Sequence, residues 1–308
     1  MDLRRLRHFV ELSETLNFRR AAERLHMAQP PLSVSIQKLE TELGVRLFER
    51  GPSGVTISPA GLAIQAEAKR VLFHAGQIGL MAQSAAQGTS GRLRIGFVGS
   101  AIYGLLQKLV YPFRTQHPGV ELVLRESTSI RILQMLEEGE LDVGLVRTPL
   151  IQSTKVRLLM LEHDEFIVAL PCGNPLGNKP ALSLSDLRQE PFIMYSATEA
   201  SGFRSAAMLA CQRAGFYPQV TQEASQIQTL LALVEIGLGI ALVPSVMQRF
   251  VSKKIVYRAM TDRSATKGIG MALAFRPGLE SPAALKFKEL ATREISAQGP
   301  ESANTVVS

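Results

Sequence analysis

Between residues 17 and 50 the apolar positions recur with the period of a helix and break twice. Phe18, Ala21, Ala22 and Leu25 share one face, Arg19, Arg20, Glu23 and Arg24 take the other, and Asn17 precedes them as a side-chain cap. After His26-Met27-Ala28 a second stripe runs through Leu32, Ile36, Leu39 and Leu43. Pro30 and Pro31 lead it, where a missing N–H costs nothing in a helix's first turn, and Gly44 ends it. Leu6, Phe9, Val10 and Ser13 predict an opening helix that completes a three-helix core. Val45 to Arg50 and Val55 to Ser58 predict two short strands around the turn formers Gly51-Pro52-Ser53-Gly54.

The pattern then changes scale. Ser58-Pro59 supplies a cap and first-turn proline for a long helix from about 59 to 87. Along it Ile64, Ala68, Val71, Ala75, Ile78 and Ala82 alternate spacings of four and three, the seam of a coiled coil, which predicts a partner helix, with packing on the chain's own body as the competing reading. Gln87-Gly88-Thr89-Ser90-Gly91 is a polar hinge. Beyond it strands alternate with helices: Arg92 to Val98, Ile102 to Gln116, Val120 to Glu126, Ser129 to Glu138 and Leu141 to Val146. A similar unit follows, with strands Phe166 to Leu170, Phe192 to Tyr195, Gln219 to Glu223 and Ile240 to Val243, and helices Phe203 to Ala214 and Ile227 to Ile236. Gly268 to Phe275 and the helix from Pro282 return to the first unit, and the tail from Gln298 is expected to be disordered. The expectation is an α/β protein with parallel sheets in two facing lobes, residues 92–162 with 265–308 and residues 163–264, behind a reader of residues 1–58 and a linker of 59–91.

Two places carry candidate chemistry. Opposite its buried stripe the second helix shows Ser33, Val34, Gln37 and Lys38, with Gln29 and Pro30 at its leading end. Gln pairs two-point with adenine and Ser serves either base type, so a short helix, a tight turn and this polar-faced helix fit a helix-turn-helix reader of duplex DNA. The same spacing also fits two helices of any small bundle. The strand pair would be a wing, with Arg46, Arg50 and Ser53 placed for phosphate or minor-groove contact. The second place is the cleft between the lobes, where open parallel sheets take ligands beyond the carboxyl ends of their strands. Gly99-Ser100-Ala101 and Ser127-Thr128-Ser129 each join a strand's end to a helix's start, and helix starts attract anions. Arg147, ending the third strand, could grip a carboxylate at two points. Plain helix capping by Ser100 and Ser129 is the competing reading.

The net charge of +7 permits a polyanionic partner. Residues 1–58 nevertheless hold nine Lys or Arg against seven acids, so position rather than bulk charge must carry the DNA argument. Leu3-Arg4-Arg5-Leu6-Arg7 does not lead into an apolar run, and the window Leu230 to Met247 is broken by Glu235, Gly237, Gly239 and Pro244. A cytoplasmic protein with no membrane partner is expected. Two cysteines, Cys172 and Cys211, make no disulfide framework, and the five histidines have no ligand spacing, so neither metal nor cofactor is expected.

Residues 17–50 resemble the N-terminal domain of the LysR-type transcriptional regulators through Ala21-Ala22, Gln29-Pro30, Leu32-Ser33, Leu39-Glu40 and Leu43-Gly44, and the later order of elements resembles that family too. Ala28 stands where many members carry a capping Ser, and Val34-Ser35 where many carry Arg-Gln. The resemblance implies a winged helix-turn-helix, a linker helix and a two-lobed, periplasmic-binding-protein-like effector domain, in a homodimer or homotetramer acting on promoter DNA and RNA polymerase. Ile95 to Ser100 and Gly144 to Arg147 are similar to the branch that senses aromatic acids and muconate. In that branch the residues matching Ser100, Ser129, Phe203 and Ile227 line the effector pocket and Arg147 matches a basic position nearby. Thr198 to Gly202 departs from the branch, so its effector does not transfer.

The leading expectation is a regulator controlled by a small carboxylate. A second makes the input redox through Cys172 and Cys211, against which stands the reading of two inert buried thiols. A third is a solute-binding or enzymatic two-lobed protein. No carboxylate pair or nucleophile-base pair stands at the strand ends, and Gly237-Leu238-Gly239 precedes a strand instead of following one.

Overall fold

The computed structural model describes residues 2–51, 54–87, 91–151, 155–297 and 306–307. Two compact units part at about residue 88, and each is described by itself.

In the first unit α1 (Leu3–Thr15), α2 (Phe18–Arg24) and α3 (Gln29–Leu43) bury Leu6, Phe9, Leu12, Phe18, Ala21, Ala22, Leu32, Ile36 and Leu39 together. The Asn17 side chain accepts the Arg20 N–H at 3.1 Å, whereas Ala28 provides no side-chain cap for α3. Leu43, expected on the stripe, is 38% exposed; past Leu39 the core is filled instead by Leu47 and Phe48, which follow the Gly44 turn. Glu40 holds that return in place, accepting the N–H groups of Leu47 at 2.7 Å and Phe48 at 3.1 Å. The wing strands β1 (Phe48–Gly51) and β2 (Gly54–Ile57) pair antiparallel.

Helix α4 (Pro59–Gln87) begins against this core: a Cβ on Gly61 would lie 2.3 Å from the Leu47 carbonyl oxygen, so only glycine lets the helix start there. Its expected seam turns inward for the first turns. Ala68 is buried in the three-helix core, with Ile64, Val71 and Leu72 packed around it. Gln65 donates to Ser13 at 3.0 Å, and Lys69 pairs with Glu14 at 3.0 Å. The α1 face takes these positions because it offers apolar surface within the same chain. Ile78, farther along, is 69% exposed. The side chain of Ala82 and hinge residues 88–90 lie outside the described residues.

The second unit runs β3 (Gly91–Phe97), α5 (Leu105–Gln116), β4 (Val120–Glu126), α6 (Ser129–Glu137) and β5 (Val143–Thr148), then β6 (Arg157–Pro171) and β7 (Ala181–Leu182). It continues with β8 (Pro191–Tyr195), α7 (Ser201–Arg213), β9 (Gln219–Ala224), α8 (Ile227–Glu235), β10 (Ala241–Pro244), β11 (Ile255–Met260), α9 (Arg263–Thr266), β12 (Lys267–Phe275) and α10 (Pro282–Ala297). The expected helix from Ile102 starts at Leu105, after a 3₁₀ turn over Gly99–Tyr103.

The sheets are only partly parallel. β3 pairs parallel with β4 and β5, and β8 with β9, but β6 runs antiparallel to β10, β11 and β12, and β12 antiparallel to β5. A chain that crosses from one lobe to the other and returns must run back beside itself, which sets β6 against β12. β6 is three times as long as the expected Phe166 to Leu170, because it serves both lobes: Arg157 to Glu165 lie along β12, and Phe166 to Pro171 along β10 and β11. Two apolar clusters result, one around Leu93, Ile95, Leu109, Phe113, Leu145 and Phe287, the other around Phe166, Phe192, Leu230 and Val243. In the tail, Val306–Val307 pair with Leu158 and Leu159 as strand β13, where disorder is expected; two β-branched residues suit an extended ladder.

Candidate functional sites: the α3 face and the cleft

Helix α3 divides cleanly. Leu32, Ile36 and Leu39 are buried, while Gln29, Pro30, Val34, Gln37 and Lys38 are exposed, with Val34 at 48%, and Ser33 is half-buried. Pro30 and Pro31 explain the start of this helix without a side-chain cap, since their fixed φ is already helical. His8 ties α1 to α3, its Nδ1 lying 2.7 Å from Ser35 Oγ. Of the basic residues in this unit, Arg5, Arg19 and Arg24 are in ion pairs with Glu42, Glu23 and Glu11. Arg46 is exposed at the wing's approach. Arg50 lies in β1 with its side chain outside the described residues, and Ser53 lies outside them altogether.

In the second unit Ser100, Ser129, Arg147, Phe203 and Ile227, from five separate segments, line one cleft of about 650 Å³, counting the solvent at its mouth. The starts of α6, α7 and α8 all reach it, at Ser129, Ser201 and Ile227. First-turn N–H groups have no partner within their own helix, and each start carries partial positive charge, so three of them make a setting for an anion. The apolar part of the wall is Val98, Ile130, Pro149, Leu150 and Phe203. Phe203 is held edge-on by Tyr195 and Phe166, at ring separations of 5.2 and 5.6 Å. Tyr195 donates to the Leu242 carbonyl at 2.9 Å, and burial pushes its phenol well above the ordinary range.

Arg147 is buried and already engaged. Its Nε donates to Ser100 Oγ at 2.9 Å, its Nη1 pairs with Asp164 Oδ2 at 2.9 Å, and its backbone N–H donates to Ser129 Oγ at 3.1 Å. Burial pulls its pKa below the usual guanidinium value, and Asp164 opposes that pull. The two-point grip expected of this residue therefore meets an arginine whose charge is largely answered from within, because β6 brings Asp164 beside it. Asp164 sits where β6 passes between lobes, and its other oxygen accepts from Ser245 N at 3.0 Å, Ser245 Oγ at 2.6 Å and Glu165 N at 2.8 Å. Ser100 and Ser129 thus hold the arginine as well as lining the cleft, a role helix capping does not describe.

Sequence reading missed Asp164, Tyr195, Glu199 and Gly202. In the run Glu162-His163-Asp164-Glu165 nothing in composition marks the inward residue; extending the strand back from Phe166 would have put Asp164 on that residue's face by period two. Gly202 permits a close approach, since a Cβ there would lie 1.9 Å from the Pro149 carbonyl oxygen. Thr128 Oγ1 donates to Glu199 Oε2 at 3.0 Å. Cys211 is buried in α7, and burial pushes its thiol up to about 12, which suppresses the reactive thiolate. Cys172 is exposed, contrary to the expectation of two buried thiols, because it falls in the turn after β6. Among the described residues no three His, Cys, Asp or Glu side chains gather as metal ligands, and no helix is long and apolar enough to cross a membrane.

Comparison with known proteins adds a family. Residues 3–62 match the family of bacterial regulatory helix-turn-helix proteins of the lysR type, and residues 86–296 match the LysR substrate binding domain. The chain is 36% identical to the HTH-type transcriptional regulator AlsR of Bacillus subtilis, over 84% of this chain and 86% of that one. It is 33% identical to the regulator BenM of Acinetobacter baylyi, over 89% and 90%. The crystal structure of full-length CbnR complexed with its target DNA superimposes with a TM-score of 0.76 at 26% identity, covering 96% of this chain and all of that one. These relatives and both families are those of transcriptional regulators, not enzymes.

Proposed function

The chain belongs to the LysR family of DNA-binding transcriptional regulators with an effector-binding domain, and from that premise we propose how this member works. The outer face of α3 enters the major groove of promoter DNA. Gln29 and Gln37 read base edges there, Ser33 serves either base type, Val34 meets a thymine methyl, and Lys38 contacts phosphate. Pro30 brings the leading end close to the duplex, and Arg50 and Ser53 of the wing fix its register on the backbone. Copies pair through α4 into a homodimer or homotetramer, so that two readers meet half-sites about one helical turn, ~34 Å, apart or a multiple of it. RNA polymerase is the protein partner.

A small carboxylate, an aromatic acid or a ring-cleavage dicarboxylate, occupies the cleft. Its anionic end faces the helix starts and the Ser100–Arg147–Ser129 cluster, and its body lies against Phe203 and Ile227. Ligand that favours one lobe arrangement re-angles the readers, a coupling that need amount to no more than about 1–3 kcal/mol.

The observation that carries this reading is the division of α3, with one face sealed into the core and the other presenting amides, a hydroxyl and a cation. Gel shifts with promoter DNA, with and without a panel of carboxylic acids, test it on the full chain. The Ser33→Ala, Gln37→Ala double variant is expected to lose selective binding while melting at the wild-type temperature, and Ser100→Ala to lose ligand response while still binding DNA. Wild-type selectivity in the double variant would overturn the DNA reading. Wild-type response in Ser100→Ala would overturn the cleft reading.

A further inference from the structure

We infer that Glu40 is a positioning residue for DNA binding: it fixes the root of the wing to the reading helix and so sets where the Arg46 cation meets the phosphate backbone. The inference rests on the reading of α3 as a groove-entering helix, and adds how a second contact is held at a set distance from it.

Helix α3 is secured along both flanks of its outer face. Residues three, four and seven apart share one side of a helix. On one flank Ser35 and Glu42 meet α1: Ser35 Oγ lies 2.7 Å from His8 Nδ1, and Glu42 pairs with Arg5 at 2.8 Å. On the other flank Glu40 follows Gln37 by three and Ser33 by seven. Its Oε1 accepts the N–H groups of Leu47 at 2.7 Å and Phe48 at 3.1 Å, the residues that lead into β1. The same run is tied to the start of α4. Ser58 donates its N–H to the Leu47 carbonyl at 2.9 Å and its hydroxyl hydrogen to the Arg46 carbonyl at 2.7 Å, and Gly61 N–H donates to Ser58 Oγ at 3.0 Å. The side chains of Leu47 and Phe48 are buried.

This clasp leaves the side chain of Arg46 outside. Glu42, Glu23, Glu11, Glu14 and Glu67 answer Arg5, Arg19, Arg24, Lys69 and Arg70, whereas Arg46 is exposed and enters no ion pair among the described residues. Its charge is open to a phosphate while the backbone carrying it is pinned. A carboxylate that accepts backbone N–H groups makes charge-assisted bonds, roughly twice as strong as neutral ones, so Glu40 suits a joint that must not flex. A contact held in place before binding loses less entropy on binding. Without the Glu40 acceptor the wing root would keep its ties to α4 and its buried side chains but none of these bonds to α3, and Arg46 would lose its set distance from Ser33 and Gln37. Phosphate contacts fix register without reading sequence, so breaking the joint should alter salt dependence and leave base discrimination alone.

Fluorescence anisotropy on the full chain, with a duplex that the wild type has selected from a random pool, reads both quantities. One is the slope of log affinity against log salt concentration; the other is the affinity ratio between that duplex and a scrambled one. Arg46→Gln is expected to make the slope shallower by about one unit for each subunit bound, with the ratio unchanged. Glu40→Ala should make it shallower at least as far, and adding Arg46→Gln to Glu40→Ala should change the slope no further. Glu40→Gln keeps an acceptor oxygen on the same stem and should restore most of the wild-type slope. A wild-type slope in Arg46→Gln would overturn the inference by itself, even if Glu40→Ala does not fold. Weaker binding by folded Glu40→Ala at every salt concentration, with the slope unchanged, would make Glu40 a stabilising residue only and overturn the inference too, leaving the DNA reading standing. Failure of the wild type to enrich any sequence from the pool would go against the DNA reading of α3, and against the inference with it.

Discussion

The outer face of α3 and the cleft present their chemistry in opposite ways. On α3 the polar candidates face solvent and the apolar stripe is sealed inward, so the residues proposed to read DNA are not the residues that hold the fold. In the cleft one group belongs to both: Arg147 is buried, hydrogen-bonded to Ser100 and Asp164, and part of the cleft wall. The difference teaches where function and stability separate. They separate on a convex surface whose core lies behind it and merge in a concavity built from several segments.

The sharpest break of that comparison comes from the buried pair. Asp164→Ala leaves a buried guanidinium unanswered and strips the Ser245 donors of their acceptor, and it should cost about 3–5 kcal/mol by urea unfolding. A loss no larger than that of a surface substitution would mean that the cleft is as independent of the fold as α3's outer face. Gly202→Ala comes next. Its Cβ would press on the Pro149 carbonyl oxygen, backbone that cannot rotate away, so destabilisation of about 1–3 kcal/mol is expected, and weaker ligand binding with it.

Gln37→Ala inverts those results: operator affinity should fall by about 1–3 kcal/mol in a gel shift, with unfolding free energy inside ~0.5 kcal/mol of wild type. The smallest effect is on pH. Burial first, and then the Arg4 and Arg7 charges, hold His8 below its ordinary 6.5 in the folded reader, against a weaker opposing pull from Asp2. The unfolded chain therefore takes the proton first, so this contribution is complete above 6.5 and drains away as pH falls toward the lower folded value. Thermal melts from pH 7.5 down to 5 should show the loss, and His8→Gln should flatten it.

Legibility follows the same division. The three reader helices could be read at once, because their signals, an Asn17 cap, the Pro30-Pro31 start, the Gly44 stop and two stripes of spacing three and four, are local to each helix. Where the reading slipped, the deciding partner lay outside the helix itself. Leu43 keeps the period of its stripe yet faces solvent, since Leu47 and Phe48 fold back into the place it would have filled. The seam of α4 has the spacing of a coiled coil, and for its first turns the surface it meets is α1.

In the second unit most strands and helices, the turns before Ser100 and Ser129, and the position of Arg147 at a strand's end were in the residues, as was the α/β class, whereas β7, β11 and α9 were not read. That Arg147 is answered by Asp164, that β6 runs through both lobes, and that Glu199 closes on Thr128 across the mouth were decided only by the tertiary structure. Helical period, caps and turns are properties of a few consecutive residues and survive in a string of letters. A charge pair between residues on different strands exists only once the sheet has been ordered, and neither partner carries a mark of it beforehand.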